Sequence, residues 1–113
     1  MHKYYRYFAE IIISPESIRI GLSSSTVVLP CEIRGDNIYW MINRELYGSR
    51  NIVRFRDMGI TVSTPIPNGD SVTAHVTIQP SQKTNNTEII CEAQAAGHED
   101  IVQSNIATIF IAS

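Results

Sequence analysis

TVVLPCEIRGDNIYW, residues 26–40, sets a cysteine and the only tryptophan of the chain nine positions apart, with one glycine between them. Before that glycine, Val27, Leu29, Cys31 and Ile33 alternate with Val28, Pro30 and Glu32. This period of two turns one set of side chains to a core and the other outward. SVTAHVTIQ, residues 71–79, alternates more cleanly, with Val72, Ala74, Val76 and Ile78 against Thr73, His75, Thr77 and Gln79. NIYWMIN, GITVS, EIICEAQA and ATIFIAS are further strand candidates, and helix has almost no claim on the chain. Turn residues separate these segments at RGDN, at PIPNGD, across Ser81–Asn86 and near Gly97. Short strands broken about every 8 to 12 residues predict an all-β sandwich.

With 113 residues, 43% of them apolar and 18% charged, the chain is long enough for one core and too short for two ordinary domains sharing a catalytic cleft. A net charge of −2 gives no footprint for DNA or RNA. The longest apolar stretches, Ile11–Ile13 and Ile106–Ala112, fall well short of the roughly 20 residues that cross a bilayer, so any membrane attachment is expected through a segment absent from this chain. MHKYYRYFAE at the N-terminus has Lys3 and Arg6 but no apolar run or cleavage site, and does not read as a leader. Residues 1–10 read as an N-terminal arm, either added at cloning or the start of the first strand, and residues 11–113 as the domain.

Nothing in the pattern calls for catalysis. His2 sits in the arm, His75 on the outward side of a strand and His98 in a loop, so no base is placed beside a nucleophile. G-x-S-x-G, a Gly-rich phosphate loop and H-E-x-x-H are all missing, and no enzyme activity, cofactor or metal is expected. Gly97-His98-Glu99-Asp100 reads as a solvated loop before it reads as a cation site. Cys31 and Cys91 have no second cysteine or histidine nearby to complete a tetrahedral metal site. Both stand at inward strand positions, where a disulfide fits and would contribute about 4 kcal/mol by constraining the unfolded chain. Two free thiols are the other option.

Cys31, Trp40 and Cys91, with alternating strands around them, resemble the immunoglobulin domain over residues 11–112. The resemblance implies an antiparallel β-sandwich of two sheets, with one inter-sheet disulfide from Cys31 on strand B to Cys91 on strand F, packed against Trp40 on strand C. It places Val76 and Ile78 at the core positions of strand E, beside Leu29 and Ile33 from the alternation. Asn85, Thr87 and Ile89 take the positions usually held by Asp, a small residue and Tyr. Ile89 therefore cannot make the hydroxyl hydrogen bond that closes the E–F corner, and Asn85 cannot form the usual ion pair with Arg54 or Arg56. Strand G lacks a Gly-x-Gly bulge and the B–C link is tight, which points to an I-type or short V-type domain.

Arg34-Gly35-Asp36 spells an integrin-type motif, but Gly, Asp and Asn are also the residues of a tight turn, and the turn is the preferred reading. Asn85-Asn86-Thr87 is an N-glycosylation sequon on a predicted corner, unless Asn85 is turned inward. Arg44, Arg50, Arg54 and Arg56 read as a solvated edge, with an acidic partner as the alternative. If Trp40 and Cys91 point inward, Tyr39, Met41 and Ile90 point out from the C–F–G sheet, and Phe110 joins them if Ile109 and Ile111 face the core. Bordered by Asn43, Glu92 and Gln94, these residues have the composition of a binding face. The expectation is an extracellular recognition module of a cell-surface receptor or adhesion protein. Its partner would be a protein, either another copy or another ectodomain; a soluble secreted recognition protein and a structural spacer domain are the alternatives.

Overall fold

The computed structural model of the chain describes residues 8–112. In chain order the elements are β1 Glu10–Ile13, β2 Ile18–Gly21, β3 Val27–Arg34, β4 Asn37–Ile42, β5 Glu45–Leu46, α1 Ile52–Met58, β6 Ile60–Val62, β7 Ile66–Asn68, β8 Ser71–Ile78, β9 Thr87–Gln94, β10 Val102–Gln103 and β11 Ala107–Ala112. One sheet runs β1-β3-β8-β6, with β7 also on β8, and the other runs β2-β11-β9-β4-β5, with β10 on β9. Their inward rows meet in one core. The first segment divides between the sheets, β1 pairing antiparallel with β3 and β2 parallel with β11. Residues 1–7, most of the arm expected from the sequence, lie outside the described residues, and pairing begins at Glu10.

Alternation decides what is inside. β3 is buried at Val27, Leu29, Cys31 and Ile33, and β8 at Val72, Ala74, Val76 and Ile78. Trp40 and Ile89 complete the centre, and the register pairs Trp40 directly with Cys91. Cys31 and Cys91 form the disulfide, which resolves the choice between a bridge and free thiols. The Trp40 indole N–H is buried without an acceptor, a cost of about 1–3 kcal/mol that the packing around it must offset. Pro30 is tolerated inside a four-strand path because β1 covers only Glu32–Arg34 of β3. The side of β3 that the Pro30 nitrogen faces is left open there.

A helix was not expected, and α1 corrects that reading. Ile52, Phe55 and Met58 follow at helical spacing, but arginines at positions 54 and 56 make the segment read as a solvated edge. Phe55 is fully buried and stacks on Tyr47 at 6.1 Å. Gly59 ends the helix in the left-handed region, φ 98°, where a Cβ would come within 2.9 Å of the Gln79 side chain.

Strand G, which lacks a Gly-x-Gly sequence, is nevertheless interrupted by a bulge built from other residues. Gln103 pairs with Glu92 and Ala107 with Ile89, so three residues, 104–106, oppose two. Ser104 bridges the break. Its N–H donates to the Cys91 carbonyl at 2.8 Å, and its hydroxyl accepts from the Cys91 N–H at 2.9 Å.

The E–F corner closes without a tyrosine. Ser81 and Thr84 form a capping box around the 3-10 turn Gln82–Thr84, and the buried Thr87 hydroxyl donates to the Thr84 carbonyl at 2.8 Å. Asn85 Oδ1 accepts from the Ile111 N–H at 2.9 Å, which ties the corner to β11. Asn85→Ala leaves that half-buried N–H without its acceptor, so chemical denaturation should show a loss of about 1–2 kcal/mol. Changing Cys31 and Cys91 together to Ala should cost about 2–5 kcal/mol in the same assay, and the native parent should show no thiol that reacts with a labelling reagent.

Candidate functional site

The outer side of the β4–β9 pair follows from the inward rows. Tyr39 stands opposite Glu92 and Met41 opposite Ile90, with Tyr39, Met41 and Ile90 all half-buried. β5 extends this surface. Asn43 and Arg44 make a two-residue turn with both φ values positive, 51° and 67°, of the kind that suits the twist of a hairpin. The Asn43 side-chain oxygen accepts from the Glu88 N–H at 2.9 Å, and Arg44 lies 3.6 Å from the Glu88 carboxylate. This turn sets Leu46 opposite Met41, 56% exposed, so an apolar row Leu46–Met41–Ile90 crosses three strands. Leu46 was missed in the sequence, although a turn placed at Asn43-Arg44 would have paired it with Met41.

The next row is polar but not open. Glu92, expected on the border, is only 8% exposed, because Tyr39 flanks it on β4 and Gln103 on β10. Gln103 Nε2 donates to Glu92 Oε2 at 2.6 Å, and the Tyr39 hydroxyl donates to Gln94 Oε1 at 3.3 Å. Phe110 is on the same side of the sheet, between the buried Ile109 and Ile111, but it does not join the row. The register pairs Ile109 with Thr87 and Thr108 with Glu88, which carries Phe110 toward the end of β11. There the Arg19 guanidinium sits 5.5 Å from its ring centroid.

The opposite sheet has an apolar surface of its own that the sequence reading did not single out. Val28, Ile13 and Ile66 are 54%, 46% and 62% exposed around a shallow groove of about 190 Å³ that also takes in Pro30, Thr73 and His75. The alternation that buries Leu29 turns Val28 outward, which was the available signal.

Arg34-Gly35-Asp36 is held on all sides. β3 ends at Arg34 and β4 begins at Asn37, leaving only Gly35 and Asp36 to cross between the sheets. Arg34 pairs with Glu10 and with Asp70, the latter at 3.3 Å; the Glu10 charge, reinforced by Asp70, raises the guanidinium pKa above its ordinary value. A Cβ at Gly35 would meet the Gln94 carbonyl at 3.1 Å. The Asp36 N–H donates to that carbonyl at 3.0 Å, and its carboxylate accepts from the Ala96 N–H. Both charged side chains of the motif are thus engaged within the chain.

Of the four clustered arginines, Arg44 and Arg54 contact Glu88 and Glu45, and the Arg54 guanidinium also lies 4.8 Å from the Phe55 ring. Among the described residues no group of three or more His, Cys, Asp or Glu is placed to hold a metal ion, and no helix is long and apolar enough to cross a membrane. Asp36→Ala should cost about 1 kcal/mol of stability by freeing the Ala96 N–H. Asp36→Glu should leave cell attachment unchanged with or without divalent cations; attachment that requires them and is abolished by this change would assign the motif to adhesion.

No family model and no curated protein matches the sequence. Among solved structures, the chain resembles the N-terminal Ig1-2 module of the Drosophila receptor protein tyrosine phosphatase DLAR, with a TM-score of 0.65 and 21% identity. The match covers 92% of this chain and 48% of that one, so the chain spans about half of the module it resembles. Two stacked sheets, the Cys31–Cys91 bridge across them, Trp40 beside it and this structural match together establish that the chain has the immunoglobulin fold.

Proposed function

We propose that the chain is an extracellular protein-recognition module, part of a cell-surface receptor or adhesion protein, and that it engages its partner through the outer face of the sheet containing β4 and β9. The observation that carries this reading is the apolar row Leu46–Met41–Ile90, bordered by Tyr39, Glu92 and Gln103. An apolar centre with a polar border is how protein interfaces are built, and Tyr and Met are enriched in them. A spacer domain has no use for such a row. The disulfide supports an oxidising compartment, and the fold match to a receptor module supports a receptor context. In this reading Arg34-Gly35-Asp36 is a structural crossing, Asn85 serves the corner, and Phe110 lies at the margin of the contact.

Tyr39→Ala and Met41→Glu each remove a contact at the centre of the face while leaving the core intact. Measured against a panel of candidate ectodomains, each variant should bind at least about tenfold more weakly than the parent, equivalent to about 1.4 kcal/mol. The thermal midpoint should stay within a few degrees of the parent. Binding by both variants at parental affinity would overturn the assignment of this face.

A further inference from the structure

Asn85-Asn86-Thr87 is the one N-glycosylation sequon of the chain, and the fold treats its polar groups unequally. Its position follows from the register. Thr87 pairs with Ile109, so the two residues before it run on beside β11, where the Asn86 N–H donates to the Ile109 carbonyl at 2.7 Å. Asn86 is exposed and lies in the left-handed region, φ 66°, which asparagine enters more readily than most residues.

The fold uses the Asn85 amide at one atom only. Oδ1 accepts from the Ile111 N–H at 2.9 Å, and since only the oxygen can meet an N–H, the amide is fixed in one orientation. Nδ2 has no hydrogen-bond partner among the described residues. Nor is it sealed from water, because Trp40 Nε1 is the one unpartnered side-chain nitrogen or oxygen enclosed by them. Asn85 is thus half-buried with its oxygen against β11 and its nitrogen open to solvent. The corner needs the oxygen alone, since a carboxylate in the same place would accept that N–H equally well. The spare nitrogen is the atom that carries an N-linked sugar.

Thr87 is the opposite case. It is 1% exposed, and its hydroxyl is spent on the Thr84 carbonyl. An enzyme that reads the sequon needs this hydroxyl as well as the amide. Folding therefore leaves the acceptor nitrogen accessible and withdraws the group by which the acceptor is recognised.

We propose that Asn85 carries an N-linked glycan that is attached before the domain folds and stays on the finished corner; this rests on the reading of the chain as extracellular. The donor is an oligosaccharide linked to a lipid pyrophosphate. The bond between its first sugar carbon and the pyrophosphate oxygen breaks, and a bond from that carbon to Asn85 Nδ2 forms. One amide proton is lost, and nothing is oxidised or reduced. The product amide retains Oδ1, so the bond to the Ile111 N–H survives the modification. The glycan leaves beside β11, whereas the row Leu46–Met41–Ile90 runs from β9 away from β11, through β4 to β5.

The full chain, carried into the endoplasmic reticulum of a eukaryotic cell by a cleavable leader, tests this. Most luminal molecules should exceed the sequence mass by one N-glycan, which a glycan-releasing amidase should remove, leaving aspartate at position 85. Asn85→Asp keeps an oxygen for the Ile111 N–H but has no nitrogen; it should stay at the sequence mass, with a thermal midpoint within a few degrees of the unglycosylated parent. Thr87→Ser should still be glycosylated. For the order of events, unglycosylated chain is offered lipid-linked oligosaccharide and the transferring enzyme, once folded and oxidised and once reduced and unfolded. The folded form should react at least about tenfold more slowly, because the corner must first open. A luminal parent at the sequence mass, the same mass gain in Asn85→Asp, or a folded chain modified as fast as the unfolded one would overturn the proposal. An unmodified Asn85 in a chain whose partner binding still depends on Tyr39 would refute the glycan and leave the recognition reading standing.

Discussion

The bond between Cys31 and Cys91 joins the two sheets where Trp40 fills the space between them, and the rest of the sandwich takes its register from that point. Because side chains alternate strictly along a strand, fixing Cys31 inward fixes Leu29 and Ile33, and fixing Cys91 inward fixes Ile89. The same constraint sends Tyr39, Met41, Ile90 and Glu92 outward. The face proposed for recognition is therefore a consequence of the core. A one-residue slip in β4 would bury Met41 and expose Trp40, so the core selects against it by about 2–3 kcal/mol or more.

Away from the disulfide, side chains take over where the backbone ladder fails. At the E–F corner Asn85 reaches the Ile111 N–H, and at the bulge Ser104 offers its hydroxyl where β9 meets no carbonyl. Both solutions follow the same rule, that a buried N–H without an acceptor costs more than a new hydrogen bond gains. A tyrosine and an ion pair are one way to close this corner, and an amide with two threonines is another. At both places the backbone donors are satisfied by whichever side chains reach them.

The strands and their inward rows were legible in the sequence because they depend on period-two spacing, which survives without knowledge of the partner strand, and the disulfide because Cys31, Trp40 and Cys91 resemble the immunoglobulin pattern. What escaped depends on contacts that are distant in sequence. Phe55 is buried because Tyr47 and the open side of the sandwich receive it, while its arginine neighbours present a surface pattern. Glu92 looks exposed from alternation alone and is covered only because Gln103 arrives from β10. Leu46 needed the geometry of the Asn43-Arg44 turn. The position of Phe110 needed the bulge at residues 104–106, which shifts the pairing between β9 and the last strand.

Arg34-Gly35-Asp36 and the β4–β9 face illustrate two ways in which chemistry can be displayed by this fold. The tripeptide has the residue types of an adhesion ligand, but a two-residue crossing consumes their functional groups, since Arg34 binds Glu10 and Asp70 and Asp36 binds strand-end backbone. Presenting it to a receptor would require breaking those bonds, and each costs free energy that a new contact must first recover. The outer face carries no named motif, yet Leu46, Met41 and Ile90 already stand side by side across three strands, so the proposed partner would meet them without rearrangement. Pre-organisation favours the surface that needs no reordering.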